Sequence, residues 1–270
     1  MDVNVTNKNS LKIGAIAFSC LILVGCGTIQ KPTSSYSLQR FATPEIASEA
    51  LSGSAYIGYA QMHKVVLPDS ANGKPSFDCN PTILCVEEDP YFVQGSLAVM
   101  PGLEFSFNSQ LNRIGATWQF YGDYRGNAKT GNISQALVFG VSSHSESDTD
   151  VGNFEIEVPS EFTKQSWDQT TKTIDIGWVG GYRIDEQWLV YGGPFITYHD
   201  IDNTVEIKTD LSKIQNRYDF KGRQVGANIA MQYTAFSWLD INLELVSARY
   251  SMNNGSINDS QINMMLGARF

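Results

Sequence analysis

The sequence predicts an all-β fold: a closed, antiparallel, up-and-down transmembrane β-barrel of ten strands, with eight strands as the alternative. Apolar and polar residues alternate with a period of two in several segments, as they do in strands with one apolar face. The connections between these segments alternate between short and long, and aromatic residues gather toward the segment ends. Alternation alone would also suit a soluble sandwich, so the loop lengths and the aromatic residues favour the barrel.

The first 25 residues have the composition of an export signal. Lys8 and Lys12 precede an apolar run from Ile13 to Val24. That run is shorter than the roughly 20 residues that a membrane-spanning helix needs. Residues 1–25 are therefore predicted to be a cleaved signal peptide.

The segment Leu23-Val24-Gly25-Cys26 resembles the lipobox of bacterial lipoproteins. The resemblance implies that Cys26 becomes the first mature residue and carries acyl chains that anchor the protein in a membrane. In that family, an Asp after the cysteine tends to retain the protein at the inner membrane. Gly27 stands at that place here, which implies delivery to the outer membrane, with its lipid and lipopolysaccharide as partners.

Residues 26–53 are predicted to be a lipidated tether with a short helix. The stretch from Gly27 to Arg40 is polar and rich in Ser and Thr, as flexible linkers are. Thr43 can cap a helix whose first turn holds Pro44, because proline suits that position. We expect this helix to lie against the periplasmic mouth of the barrel, residues 54–270.

Ten segments are candidate strands of the barrel. They are residues 54–65, 93–107, 112–124, 133–143, 152–159, 171–184, 188–200, 218–235, 238–251 and 259–270. An even number agrees with single-chain bacterial barrels. The doubtful pair is 133–143 and 152–159, because the connection from Ser142 to Asn153 is long for a periplasmic turn. If both belong to a hairpin in one outer loop, the barrel has eight strands.

The connections fall into two groups by length. The short ones are 108–112, 185–187 and 236–237, and the long polar ones are near 72–89, 160–169 and 200–217. Outer-membrane barrels have short periplasmic turns and long extracellular loops. We therefore expect the short group at the periplasmic end and the long group at the cell surface.

The last segment divides most clearly into two faces. Its apolar face consists of Ile262, Met264, Leu266, Ala268 and Phe270. A chain that stops at Phe on such a strand resembles the terminal signal that the barrel-assembly machinery of Gram-negative bacteria reads. Together with the lipobox, this resemblance is to outer-membrane β-barrel lipoproteins, and it implies that machinery as a partner during insertion.

Cys79 and Cys85 form the remaining cysteine pair after the lipobox. An oxidising compartment favours a disulfide between them. A metal site is the alternative interpretation, but no His or further Cys lies nearby in the sequence to complete four ligands. We predict a disulfide that staples a loop, and no metal or cofactor.

Charged residues on the polar faces are predicted to point into the lumen. They are Glu104, Arg113, Asp123, Glu155, Glu157, Asp175, Arg183, Asp240, Glu244 and Arg269. Acids and bases both occur, so these side chains can pair into a largely filled interior that supports the wall. A selective pore is the alternative interpretation of the same residues.

Catalysis would require a base, and the histidines are His63, His144 and His199. His199 is followed by Asp200 and Asp202, which makes the most suggestive cluster, but no protease or lipase motif surrounds it. We therefore predict no catalytic residues.

The charge balance argues against one class of partner, nucleic acid. Lys and Arg number 19 against 28 Asp and Glu, a net charge of −9, so a nucleic-acid partner is not expected. The predicted function is a non-enzymatic, lipid-anchored barrel with a role in envelope structure or in binding and adhesion to an extracellular ligand. The alternatives are a narrow channel, an outer-membrane protease or lipid-modifying enzyme, and a soluble lipocalin-like periplasmic lipoprotein.

Overall fold

The fold consists of β-strands joined by turns and extended segments. The structure is a computed structural model that describes residues 33–66, 76–77, 90–152, 163–208, 213–252 and 255–270. The strands are β1 (Thr33–Tyr36), β2 (Gly53–Ala60), β3 (His63–Val66), β4 (Ser76–Phe77), β5 (Tyr91–Met100), β6 (Leu103–Asn108), β7 (Arg113–Tyr121), β8 (Ile133–Gly152), β9 (Thr163–Arg183), β10 (Trp188–Lys208), β11 (Lys213–Phe236), β12 (Leu239–Met252) and β13 (Gly255–Arg269). Within these ranges, no helix is long and apolar enough to cross a membrane.

Ten of these strands close into one barrel. Each pairs antiparallel with its neighbours in the chain, from β2 through β5 to β13, and β13 pairs back onto β2. Backbone hydrogen bonds of 2.8 and 3.0 Å between Gly53 and Phe270 complete this seam. Strands β1, β3 and β4 form a small separate sheet. The predicted ten-stranded up-and-down barrel is confirmed.

The alternation in the sequence corresponds to the two faces of the wall. In β12, the outward side chains Ile241, Leu243 and Leu245 have 40–49% of their surface exposed. Asp240 and Glu244 point inward and are fully buried. A water-soluble domain would normally have the reverse distribution. Exposed aliphatic residues outside and carboxylates inside are the distribution expected of a barrel surrounded by lipid.

Several predicted strands have the wrong limits, although the total of ten is right. The segment 54–65 contains most of β2 and most of β3, which belong to different sheets. The segment 93–107 is two strands, β5 and β6, joined by a turn at Pro101 and Gly102. Gly102 has φ +76°, which glycine adopts without a side-chain clash. The segment 133–143 is the first part of the long strand β8, and most of 152–159 lies outside the described residues.

The two ends of the barrel are distinct. One end, here called the terminal end, holds Gly53 and Phe270; the opposite end is called the far end. The strand order places the connections 101–102, 122–132, 184–187 and 237–238 at the terminal end. The turn 109–112 lies at the far end, whereas the sequence predicted it at the same end as the connections 185–187 and 236–237. The difference arises because the turn at 101–102, which was not predicted, reverses the direction of the strand that follows it.

Strands rather than loops make up much of the far end. The regions predicted as long loops near 160–169 and 200–217 belong largely to β9, β10 and β11. Their pairing continues out to Gly152 opposite Thr163 and Lys208 opposite Lys213. The polar composition that indicated loops therefore belongs to strands that extend beyond the apolar part of the wall.

The short helix predicted after Thr43 is not present. Residues 36–47, here called the plug, run through the barrel interior, and residues 48–52 connect the plug to β2. Wall side chains replace helical hydrogen-bond partners: the Ile46 N–H donates to Gln119 Oε1 at 2.8 Å. The apolar side chains of the plug also face the lumen rather than one side of a helix, since Leu38, Phe41 and Ile46 are 0–3% exposed.

Candidate functional site

The plug makes hydrogen bonds to the barrel from one end of the lumen to the other. Near the far end, the Tyr36 hydroxyl donates to Asp259 Oδ2 at 2.8 Å, and the Leu38 N–H donates to Gln261 Oε1 at 2.8 Å. Further along, Ile46 accepts a backbone hydrogen bond of 2.8 Å from Arg125, in the connection 122–132. The plug therefore descends from the far end to the terminal end.

At the far end, Asp259 organises the entry of the plug. Besides Tyr36, its Oδ2 lies 2.9 Å from His63 Nδ1 and accepts from Gln261 Nε2 at 3.0 Å. The Tyr36 ring stacks on Tyr250, with 5.6 Å between centroids. This arrangement ties β1, β3 and the barrel wall together at one point.

Halfway down, Glu244 holds the backbone of the plug. Its carboxylate accepts from the N–H groups of Arg40 and Phe41, at 2.9 and 3.1 Å. Two wall amides, Asn228 Nδ2 and Asn263 Nδ2, also donate to it, at 2.7 and 3.3 Å. Because Glu244 is fully buried, these donors replace the water that a carboxylate requires.

The Arg40 side chain reaches strands β9 and β10 of the wall. Its Nη2 donates to Thr197 Oγ1 at 2.8 Å, and its guanidinium carbon lies 3.9 Å from the ring centre of Phe195. Its Nη1 is 3.5 Å from Asp175 Oδ1. Asp175 also accepts two hydrogen bonds from Arg113, at 2.8 and 2.9 Å. Asp175 therefore lies between one arginine of the wall and one of the plug.

Near the terminal end, Glu45 of the plug pairs with Arg183 of β9. Arg183 Nε donates to both carboxylate oxygens, at 3.0 and 3.2 Å, and its Nη2 contacts Oε2. Asn132 Nδ2 adds a hydrogen bond of 3.0 Å to Oε1. Only 1% of the Glu45 side chain and 7% of the Arg183 side chain are exposed. The pair is thus a buried, bidentate ion pair between plug and wall.

Two other ion pairs lie in the same region. Arg269 Nε is 2.8 Å from Asp240 Oδ2, and the Thr234 hydroxyl donates to Asp240 Oδ1 at 2.8 Å. Arg125 Nη2 is 3.7 Å from Glu104 Oε2. The pair of Arg269 and Asp240 lies within the wall. Arg125 also contacts the plug, because its Nε donates to the Glu45 carbonyl at 3.0 Å.

The structure places seven of the ten predicted lumen residues on the inner face, with the contacts described above: Glu104, Arg113, Asp175, Arg183, Asp240, Glu244 and Arg269. The prediction for Asp123 was wrong, because Asp123 is exposed in the connection 122–132. Glu155 and Glu157 lie outside the described residues.

The plug residues that pair with this inner face, Arg40 and Glu45, could not be predicted, because the composition of their segment indicates a tether. The apolar residues Tyr36, Leu38 and Phe41 within that polar stretch were the available signal, since a solvated linker has no need of them.

The structure does not assemble the suggested histidine cluster. His199 points into the lumen, 8% exposed, with its ring 5.2 Å from that of Tyr250. Asp200 follows it in β10 and points outward, because successive side chains of a strand alternate. His144 lies elsewhere, with Nε2 3.2 Å from Glu146. Among the residues described, no group of three or more His, Cys, Asp or Glu is placed to hold a metal ion.

A small cavity remains beside Arg40. It measures about 40 Å³, and Arg113, Asp175, His199 and Gln224 are among its lining residues. A water molecule needs roughly 10–15 Å³ of such space. The cavity therefore has room for a few waters but not for an organic solute.

Charges on the far-end extension pair across neighbouring strands. Arg217 Nη2 of β11 lies 3.1 Å from Asp202 Oδ1 of β10, and Arg217 Nε lies 3.4 Å from Asp219. The hydrogen bond from Arg217 lowers the pKa of Asp202. The outer surface of this extension therefore carries both charge signs in close proximity.

The cysteine predictions concern residues outside the described ranges. Cys26, Cys79 and Cys85 all belong to this group. Lipidation and the disulfide stay predictions from the sequence.

Comparison with known proteins gives distant likenesses. No protein-family model matches the chain, and no curated protein matches its sequence. Among solved structures, it is similar to Ail, the attachment invasion locus protein of Yersinia pestis, with 13% identity and a TM-score of 0.32, over 82% of this chain and 100% of that chain. It is also similar to the outer membrane protease OmpT from Escherichia coli, with 12% identity and a TM-score of 0.34, over 82% of this chain and 92% of that chain.

Proposed function

We propose that this protein is an outer-membrane barrel, lipidated at Cys26, that acts as a closed structural and surface-binding module rather than as a channel or an enzyme. The apolar outer belt supports the membrane location. In β10, the outward residues from Trp188 to Tyr198 carry no charge. This stretch matches the roughly 9–11 residues with which a tilted strand crosses a bilayer. Trp188 and Tyr198 lie at its two limits, where interfacial aromatic residues are expected.

The filled lumen supports a closed barrel, and this is the observation that carries the proposal. Leu38 and Ile46 of the plug are fully buried inside the ring. Buried ion pairs join plug and wall at Asp175 and Glu45. Conduction would require the plug to leave, which would strip these charges of their partners and cost several kcal/mol.

The far-end extension supports a role in surface binding. Beyond Tyr198, β10 continues from Asp200 to Lys208, paired on both sides by β9 and β11. At about 3.3 Å per residue, this part of the strand reaches about 25–30 Å along its own axis. A paired, hydrogen-bonded sheet presents its side chains in fixed positions, so it can recognise a ligand at low entropic cost. The mixed charges at Asp202 and Arg217 suit a polar partner on the cell surface.

Two arginine substitutions test the membrane location. Leu243→Arg places a charge in the middle of the outer belt, and we expect it to reduce the stability of the barrel in vesicles by about 2–4 kcal/mol. Ser251→Arg, on the same face of β12 but beyond the belt, is the matched control and is expected to change stability by under about 1 kcal/mol. Urea titrations followed by the heat-dependent gel shift measure both. Equal stabilities of the two variants would contradict the proposal.

Planar-bilayer recording tests whether the lumen is closed. The purified protein is expected to give no stable conductance steps under conditions in which it inserts. Reproducible, ion-selective steps would replace this proposal with the narrow-channel alternative.

A further inference from the structure

We infer that the N-terminal lipid anchors the protein from the cell surface, with its acyl chains in the outer leaflet of the outer membrane. This inference rests on the proposed acylation of Cys26 and on the proposed membrane location. It adds the side of the membrane from which the anchor enters, which lipidation alone does not specify.

The plug runs through the barrel in one direction, from the far end to the terminal end. Strand β1 pairs with β3, with Tyr36 opposite His63, and β3 follows the far end of β2. From Tyr36 the plug descends past Glu244 to Glu45, and the chain reaches Gly53 at the terminal end. The chain thus enters the barrel at the far end and leaves it at the terminal end.

The far end has the features of an extracellular end. At the terminal end, three connections are short, 101–102, 184–187 and 237–238, and one is longer, 122–132, whereas at the far end β8, β9, β10 and β11 extend well beyond the apolar belt. At the far end, the outward positions beyond the belt are charged, as with Lys172, Asp200 and Arg223. Short periplasmic turns and extended, polar extracellular parts are the general pattern of such barrels. Residue 33 therefore lies on the outer side of the membrane.

The segment between Cys26 and Thr33 is short compared with the depth of the barrel. Cys26 precedes Thr33 by 33 − 26 = 7 residues, which span at most about 25 Å when fully extended. From Asp259, which binds Tyr36, to Arg269 at the terminal end is 269 − 259 = 10 residues of β13. At about 3.3 Å per residue, that is about 33 Å along the strand and about 25 Å along the membrane normal at the usual tilt. Even a fully stretched segment would only just match this depth.

The segment before Thr33 also has no favourable path to the periplasmic side of the membrane. The segment cannot pass down the lumen, because the plug already fills it. A route down the outside would pass unpaired backbone N–H and C=O groups through hydrocarbon, at several kcal/mol for each group. The acyl chains therefore enter the bilayer from above. One consequence is that the plug must be in place before the seam between β13 and β2 closes.

A protease-site experiment tests this topology in intact cells. A tobacco etch virus protease site, flanked by Gly-Ser linkers, is inserted between Ile29 and Gln30 of the full-length protein. A second variant carries the same site between Lys129 and Thr130, in the connection 122–132, as the periplasmic control. A third carries it between Asp210 and Leu211, in the connection between β10 and β11, as the surface control. Cells grown with radiolabelled palmitate are treated with the protease from outside.

We expect the N-terminal site to be cut in intact cells to the same extent as the surface control, with palmitate on the small fragment alone. The periplasmic control should be cut only after permeabilisation. An N-terminal site that behaves like the periplasmic control would overturn the inference while leaving the proposed acylation standing. Cutting in intact cells with no palmitate on the fragment would refute the acylation, and the inference with it, while supporting the direction of the plug.

Discussion

The ion pair between Glu45 and Arg183 gives the sharpest test of the plug as a structural element. The substitution Glu45→Gln keeps the volume of the side chain and removes its charge. Arg183 would then stay buried beside an amide, with the Glu186 carbonyl at 3.1 Å as its remaining described partner. Removing one member of a buried ion pair costs about 3–5 kcal/mol. Because Gln still offers one acceptor oxygen, we expect the lower limit, about 3 kcal/mol.

The chain offers a matched control four residues away. Glu49 is exposed, so Glu49→Gln makes the same chemical change without breaking a buried pair. Surface substitutions of this kind usually alter stability by under about 0.5 kcal/mol. Urea titration of protein folded in vesicles measures both variants, with the stability taken from the transition midpoint and slope.

A double variant separates the pair from a general effect of substitution at these sites. Glu45→Gln combined with Arg183→Gln removes both charges, so no ion is left uncompensated. We expect the double variant to lose less stability than the sum of the two single variants, by about 1–3 kcal/mol. If Glu45→Gln instead has the same urea midpoint as Glu49→Gln and also shows no conductance in planar bilayers, the ion pair does not hold the plug in the lumen.

Two further predictions concern the inner wall and the far-end extension. A Cβ at Gly140 would overlap Arg113 Nη2 and Asp175 Oδ2, so Gly140→Ala is expected to reduce the stability of the barrel by about 1–3 kcal/mol. Gly95→Ala is the control, because the nearest atom to a Cβ there is 3.9 Å away. Equal urea midpoints for the two variants would contradict the close packing at Gly140. The lowered pKa of Asp202 predicts that its pairing with Arg217 stabilises the extension above the ordinary pKa of Asp and that this contribution is lost as the pH falls through the lowered value. An NMR titration in which Arg217→Ala leaves the pKa of Asp202 unchanged would exclude this pairing.

The barrel could be predicted from the sequence because the alternation that indicates a strand is visible within each strand. Alternation with a period of two assigns each residue of a strand to one face, and it survives errors of a few residues in the strand limits. Asp240 and Glu244 could therefore be assigned to the lumen without knowledge of their partners. The turn at Gly102 was harder to detect, because apolar residues continue on both sides of it in Val99, Met100 and Leu103.

The plug could not be predicted in the same way, because its contacts join residues that are far apart in the chain. Glu45 and Arg183 are 138 positions apart in the chain, and nothing between them specifies the contact. The Ser- and Thr-rich stretch before Arg40 has the composition of a linker. Only the spacing of Tyr36, Leu38 and Phe41 indicates that this segment is buried, and such spacing does not specify what covers it.

The plug belongs to the fold because the wall is built around it. Eight strands leave an interior that side chains of the wall can fill by themselves, and ten strands leave more space. The inner face near the middle of the barrel carries small residues, such as Gly115 and Gly140, which add to that space. The wall also supplies buried acceptors, Glu244 and Gln119, whose described donors include N–H groups of the plug. Without the plug, these buried acceptors would lose hydrogen-bond donors, which is energetically unfavourable. Removal of the plug is therefore expected to destabilise the wall rather than to leave the same barrel with an open pore.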